Sequence, residues 1–330
     1  MRARLAIGEK GDTMNKGNPG YRAALSKEDY HKITGFDGDW RDTWWNDEFL
    51  AMMADQWGLG QVRTILDVGC GVGHWGQRLM HHASDAAILH GVDPEEAWVE
   101  GARKRAESLG LEERSVFRVG SVESLPWPDE SLDMVTCQTL LIHVADMQEA
   151  IEEMTRVLRP GGLFLAAEPN NFANSAGQYV ASPLLPWPQV SDLLELEYRC
   201  TQGKFVEGEG HQSAGHLIPA CLEASGWSDV NVHLNNQSAL VVPPYEDLGS
   251  KTFVQLMRTA YESSTAMVLG GTRENCRRYY LAGGGDESRF SRLWALARTR
   301  LEDTLAAIDA GTYVSAGGHV HYLVWGHKAS

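Results

Sequence analysis

The sequence predicts an α/β fold, a parallel β-sheet with helices on both faces. Three observations carry this reading. Across residues 61–235 short apolar runs alternate with helical patterns, the rhythm of strand–helix–strand crossovers. The first apolar run ends in a glycine turn, Asp67-Val-Gly-Cys-Gly-Val-Gly73. A tight strand-to-helix turn needs such residues, because glycine enters positive φ without penalty. The second run ends in a carboxylate, Asp93, twenty residues after Gly73.

The elements follow in order. Residues 62–68 form the first strand and 75–82 a helix. Residues 86–92 form the second strand, and 95–109 a helix closed by Gly110. Strands three and four are 116–119 and 132–137. Asp146 caps the next helix, with Glu149 at capping-box spacing. That helix runs to Leu158 and stops at Pro160-Gly161-Gly162 before a fifth strand at 163–167. The rhythm then breaks. Residues 169–212 are rich in proline and aromatics and show little periodicity. They are too long for an ordinary loop, so they form an active-site cover or a small subdomain. A helix at 213–225, ended by Gly226, leads to a sixth strand at 230–234. Residues 245–310 turn helical, with Phe290, Leu293, Ala297, Leu301, Leu305 and Ile308 on one stripe. A last strand at 319–325 lies between Gly317-Gly318 and Gly326.

The chain has 330 residues, which predicts two domains or one enlarged domain at roughly 150 residues each. Lys and Arg total 29 against 44 Asp and Glu, a net charge of −15. Nucleic-acid affinity comes largely from Lys and Arg displacing counterions, so no nucleic acid and no anionic membrane is expected as a main partner. Cys70, Cys137, Cys200, Cys221 and Cys276 are odd in number and include no CxxC pair. Neither a disulfide framework nor a zinc ribbon is implied, and reduced thiols in a cytoplasmic protein are expected. No run approaches a membrane span, and the polar first twenty residues read as a tail.

The glycine turn is chemically ambiguous by itself. Gly71-x-Gly73-x-x-Gly76 with Asp93 matches the dinucleotide fingerprint, in which the carboxylate accepts ribose hydroxyls. A structural turn with no ligand fits equally well. The rest of the chain resolves this by resemblance. Ile65–Gly73, Gly91-Val-Asp-Pro94, the stretch from Gly120 through Leu125-Pro-Trp-Pro to Asp133, and Arg156-Val-Leu-Arg-Pro-Gly-Gly-Leu-Phe164 stand in order. Together they resemble the class I S-adenosylmethionine-dependent methyltransferases, on the small-molecule branch related to the ubiquinone-biosynthesis enzymes.

The resemblance implies a Rossmann-like, seven-stranded, mostly parallel sheet with an antiparallel last strand. It implies S-adenosylmethionine as cofactor, with S-adenosylhomocysteine as product. Asp67, Gly69, Cys70, Gly71 and Gly73 are then expected at its methionyl part, and Asp93 with Pro94 at the ribose. Ser121, Val122 and Glu123 fall at the adenine, and the segment from Gln138 to His143 faces cofactor and substrate. The family often carries Asp where Ser121 stands; a hydroxyl is the weaker acceptor. The resemblance does not cover residues 1–57, 170–212 or 245–311.

Other candidates are weighed singly. His143 follows the fourth strand, where it is placed to accept a proton; a helix-start histidine bonded to backbone is the plain alternative. Glu168 ends the fifth strand toward the ligand crevice of an open sheet. These two are the catalytic candidates. Asn170 and Asn171 beside Glu168, Tyr198 in the insert and Tyr21 in the N-terminal segment are candidates for substrate contact. Trp40, Trp44 and Trp45 fall on a predicted N-terminal helix and are read mainly as packing residues. His319 and His321 share a strand face, and His211 and His216 stand five apart, but no third ligand has zinc spacing, so no metal is expected.

The expected organisation is an N-terminal tail and helical segment at 1–60. The cofactor domain spans 61–244 and 312–330, with an insert near 170–212, and a helical insertion covers 245–311, the inserts forming a substrate cap. The expected activity is methyl transfer to a nitrogen, oxygen, sulfur or carbon atom of a small molecule by in-line displacement, in a monomer or homodimer. An NAD-dependent oxidoreductase using the same turn and a non-catalytic cofactor-binding protein are the alternatives.

Overall fold

The computed structural model describes residues 39–179, 183–317 and 320–329. The strands are β1 (Thr64–Val68), β2 (Ile88–Asp93), β3 (Ser115–Val119), β4 (Leu132–Gln138), β5 (Leu158–Pro169), β6 (Asn231–Leu234), β7 (Ala239–Val241), β8 (Ser315–Gly317) and β9 (His321–His327). The α-helices are α1 (Asp47–Trp57), α2 (His74–Leu79), α3 (Glu96–Ser108), α4 (Met147–Val157) and α5 (Asn171–Tyr179). They continue as α6 (Trp187–Val206), α7 (Ile218–Ala224), α8 (Leu248–Glu262), α9 (Arg273–Ala282) and α10 (Glu287–Asp309). Two compact units form. Among the described residues the sheet unit comprises 45–170, 213–236 and 320–329, and the helical unit the rest.

The sheet unit holds seven strands in the order β3-β2-β1-β4-β5-β9-β6. The first five run parallel, and β9 is antiparallel to both β5 and β6. The seven-stranded sheet with its antiparallel last strand is therefore as expected. Local chemistry explains the elements. Asn46 caps α1 by accepting from Phe49 N at 3.0 Å, and Gly58 closes it in the left-handed region. Asp146 caps α4 through Glu149 N at 3.1 Å. Ala150, Ile151, Met154 and Val157 form the buried face of α4. They join Leu66, Val135, Phe164 and Val324 in the core. Asp133 accepts from Arg63 N at 2.8 Å and Thr64 N at 2.9 Å, which ties the start of β1 to β4. Strand order reverses direction between β1 and β4, and in open α/β sheets ligands bind at the carboxyl ends there.

Several boundaries differ from expectation. Strand β5 begins at Leu158, not beyond the Pro-Gly-Gly turn, because Leu158 already pairs with Leu132 before a register shift. Trp40 and Trp44 lie on a 3-10 turn, Asp39–Trp44, and Trp45 lies outside any helix. Trp45 is buried against Trp75, ring centres 4.7 Å apart, and against His321 at 5.7 Å. The helix expected from residue 213 starts only at Ile218, since Ser213 bridges Asn170 in extended form.

The helical unit corrects the aperiodic reading of 169–212, which folds into α5 and the twenty-residue α6. The face α6 buries mixes Val190, Leu193 and Leu196 with Glu197, Thr201 and Lys204, so no clean apolar stripe marks it. It lies against α9 so closely that a Cβ at Gly203 would stand 1.7 Å from the Tyr279 carbonyl oxygen. The predicted stripe on α10 is real: Phe290, Leu293, Ala297, Leu301 and Ile308 are buried and Leu305 is partly buried. Strands β7 and β8 form a separate two-stranded ribbon.

Candidate functional site

The carboxyl ends of β1, β2, β4 and β5 carry the candidate site. Strand β1 delivers Asp67, which is buried at 1% exposure. Its Oδ2 accepts from Gly76 N at 2.9 Å. Its Oδ1 is buried without a hydrogen-bond partner among the described residues. Burial pushes its carboxyl up to about 7, the Gly76 amide holding it down and the nearby Asp93 charge adding to the rise. Gly76 is required here, because a Cβ would lie 2.7 Å from Asp67 Oδ2 and 2.9 Å from Leu89 Cδ1.

The chain then turns through Gly69, Gly71 and Gly73, all at positive φ. Gly69 and Cys70 donate their amides to the Val92 carbonyl at 2.7 and 3.0 Å, which moors the turn to the end of β2. Gly71 N donates to Asp93 Oδ2 at 3.0 Å, and Glu95 N to Oδ1 at 2.9 Å. Asp93 thus braces the loop in its own right. An ionised carboxylate has about four acceptor positions, and these two amides take two of them. Pro94 follows it at the turn into α3. The Cys70 thiol is buried and pushed well above its usual range by burial and by the Asp67 and Asp93 charges. It is a small packing residue, not a nucleophile.

Strand β4 ends at Gln138, which is buried, with Nε2 unpartnered among the described residues. Thr139 follows at φ 57°, a conformation that costs a β-branched residue about 1–3 kcal/mol. Its amide donates to the Ala167 carbonyl at 3.1 Å, and its Oγ1 is buried without a partner among the described residues. The turn is held from below by Glu168, a fully buried carboxylate on β5. Glu168 Oε1 accepts from Leu140 N at 2.7 Å and Leu141 N at 3.0 Å, and Cys137 Sγ lies 3.6 Å away. Burial raises the Glu168 carboxyl to about 7 against the pull of those amides.

The remaining candidates are less concentrated. His143 is exposed and its amide donates to the Leu140 carbonyl at 2.8 Å. Ser121 and Glu123 are exposed and hydrogen-bond each other, while Val122 is buried. Asn170 lies at the end of β5, its amide bonded to the Val320 carbonyl at 2.9 Å. Asn171 opens α5 in the helical unit, where Tyr198 is exposed and packs edge-on against Phe172 at 6.0 Å. Tyr21 lies outside the described residues, as does His319. No group of three metal-ligating side chains occurs among the described residues.

Sequence reasoning included Thr139 only within the segment 138–143, and it gave no role to Trp75 or Gln77. Thr139 carries its signal only as the first residue after β4. Trp75 Nε1 donates to Thr136 Oγ1 at 2.8 Å, which locks α2 onto β4. Gln77 is fully buried and donates to the Ala102 carbonyl at 2.8 Å beneath the glycine loop. A polar residue at an interior helical position was the available clue.

The site is a crevice at the carboxyl ends of an open α/β sheet. Its buried polar atoms without partners among the described residues, Asp67 Oδ1, Gln138 Nε2, Thr139 Oγ1 and Glu168 Oε2, stand at strand ends beside the glycine turn. Such atoms are costly to bury unless a ligand meets them, so the residues fit a polar, cationic cofactor. Comparison with known proteins agrees. Residues 61–213 match a protein-family model described as a methyltransferase domain. An uncharacterized methyltransferase, YcgJ of Bacillus subtilis, is 36% identical over 121 residues, 37% of this chain and 46% of that protein. A probable S-adenosylmethionine-dependent methyltransferase of Mycolicibacterium smegmatis is 34% identical over 153 residues, 43% of this chain and 55% of the relative. Norajmaline N-methyltransferase of Rauvolfia serpentina is 33% identical over 149 residues, 44% and 49% of the two chains. The matched segment spans about half the length of these relatives. Over residues 61–213 the chain is similar to methyltransferase domains, among them that of the probable S-adenosylmethionine-dependent relative.

Proposed function

We propose that the protein transfers a methyl group from S-adenosylmethionine to a small-molecule acceptor. The observation that carries this reading is the row of unpartnered buried polar atoms at the ends of β1 and β4, set beside the glycine turn and Asp93. When bound, the cofactor supplies a methyl already activated on a sulfonium. The chain's own residues then hold and orient. Asp67 offers a carboxylate to the cationic end, and the glycine turn gives close backbone approach. Asp93 would accept from the ribose, and Ser121, Val122 and Glu123 would lie at the adenine. Gln138 and Thr139 border the reacting end, and His143 is the acceptor's proposed proton sink. Holding a nucleophile in line contributes about 7–11 kcal/mol of barrier lowering, so neither a metal nor a covalent protein intermediate enters the scheme.

The acceptor's chemistry is read from weaker signs. The net charge of −15 disfavours nucleic acid, and the norajmaline relative's name states N-methylation of a small molecule. Residues 170–212 and 245–311, with Asn170, Asn171, Tyr198 and Tyr21, are the proposed selectors of the acceptor. A cytoplasmic setting and a monomer or homodimer complete the proposal; five unpaired thiols support the first. No helix among the described residues is long and apolar enough to cross a membrane.

A thermal-shift comparison tests the function. At 100 times its Kd, S-adenosylhomocysteine stabilises the fold by about 2.7 kcal/mol. A raised midpoint with S-adenosylhomocysteine and none with NAD is expected. Stabilisation by NAD alone overturns the proposal.

A further inference from the structure

We infer that Glu168 is the positioning residue of this site, acting through the backbone of residues 139–141 and not as a proton acceptor for substrate. The inference rests on the methyl-transfer reading for its consequence, but its geometry stands apart from it.

Glu168 Oε1 is committed, while Oε2 is buried without a hydrogen-bond partner among the described residues. Leu140 N and Leu141 N reach it at 2.7 and 3.0 Å, and the Cys137 thiol lies at 3.6 Å. The carboxylate is completely enclosed. These amides belong to a segment that has left β4 and has no strand partner of its own. Gln138 is the last residue in register with β5, opposite Ala167. Thr139 then enters the left-handed region while its amide still bonds the Ala167 carbonyl. One residue later on β5, the Glu168 side chain replaces the main chain as acceptor. That replacement sustains a conformation Thr139 would not adopt unaided.

The turn so held touches the cofactor loop. Leu140 packs on Gly69 so tightly that a Cβ there would meet Leu140 Cδ1 at 2.7 Å. Glu168 therefore sets the turn, the turn seats Leu140 on Gly69, and the unpartnered Gln138 and Thr139 polar atoms are carried by the same turn.

A base and a positioning acceptor make opposite demands. A base needs a titrating carboxyl and tolerates Glu168→Asp better than Glu168→Gln. A positioning acceptor needs reach, so Glu168→Gln serves and Glu168→Asp, one methylene short, does not. The experiment measures hydrogen exchange of the 139–143 amides without ligand, S-adenosylhomocysteine affinity by calorimetry, and the melting midpoint, in the full chain. Glu168→Gln should keep amide protection and affinity within about threefold. Glu168→Asp should lose protection at Leu140 and Leu141 and weaken affinity about tenfold, as expected for a lost charged hydrogen bond. Unchanged protection in Glu168→Asp, or loss in Glu168→Gln equal to that in Glu168→Asp, overturns the inference. If the wild type binds neither S-adenosylmethionine nor S-adenosylhomocysteine, the methyl-transfer reading fails while the exchange comparison still decides the clamp.

Discussion

With the proposed role at the cationic end of the cofactor, Asp67 should make cofactor binding proton-linked. Its carboxyl is buried and pushed up to about 7, chiefly by burial and further by Asp93. A cationic ligand stabilises the ionised form, so the complex forms with Asp67 deprotonated. The apparent association constant then scales with the ionised fraction, about 9% at pH 6 and about 91% at pH 8 for a group titrating near 7. Affinity for S-adenosylmethionine should therefore rise about tenfold, or about 1.4 kcal/mol, from pH 6 to pH 8. Titration calorimetry in two buffers of different ionisation enthalpy should show about half a proton released at pH 7. The cofactor's own amino group titrates in the same range, so the quantity to compare is the difference between wild type and Asp67→Asn. The asparagine can still accept from Gly76 N, now 2.9 Å from Asp67 Oδ2, so the loop should persist. An identical pH slope in wild type and Asp67→Asn would falsify the assignment of Asp67 to the cationic end.

Three further outcomes follow from the geometry. Gly76→Ala forces a Cβ to within 2.7 Å of Asp67 Oδ2 and 2.9 Å of Leu89 Cδ1; it should cost about 1–3 kcal/mol and weaken S-adenosylhomocysteine binding, and a normal midpoint with normal affinity would refute the close approach. Gly203→Ala meets backbone, the Tyr279 carbonyl oxygen at 1.7 Å, so the α6–α9 pair must separate; exchange protection in α6 and α9 should fall, and its retention would contradict the packing. Asp67, Glu168 and Glu197 are all raised to about 7, burial being the largest cause in each. A carboxyl raised in the folded state contributes stability below its unfolded pKa and loses it as pH rises through the folded value. Each should lose about 1.4 kcal/mol between pH 6 and pH 8. The midpoint of the ligand-free protein should therefore fall over that range, and a rise would refute the raised values. His82, His90 and His216, lowered chiefly by burial, oppose this trend only below about pH 6.5.

What was legible in the sequence is what local constraints impose. The glycine turn had to be glycine because Gly69, Gly71 and Gly73 take positive φ. Asp93 was visible because a carboxylate closing β2 lies one strand away from that turn. Helix α6 was not legible, and the reason is energetic. Its inner face buries Glu197, which accepts from Tyr179 Oη at 3.0 Å and Leu269 N at 3.2 Å. It also buries Lys204, which bonds Gln212 at 2.9 Å. Polar groups satisfied by partners far along the chain erase the apolar period on which recognition depends.

The same logic separates the two carboxylates of the site. Asp67 and Glu168 both end strands, both are buried, and both are raised to about 7, so residue type and strand position alone assign them one role. Their partners divide them. Asp67 gives one oxygen to the start of α2 and leaves the other unpartnered among the described residues, which suits a ligand. Glu168 Oε2 is likewise buried without a partner among the described residues, but its Oε1 goes to two amides of a strained turn, and it is this bonding that suits a brace. That distinction needs β5 laid beside β4 in register, Gln138 opposite Ala167, because only then does the next residue on β5 fall under the first residues beyond β4. A linear reading places Glu168 at the crevice; the pairing shows that it reaches the crevice through the backbone it supports.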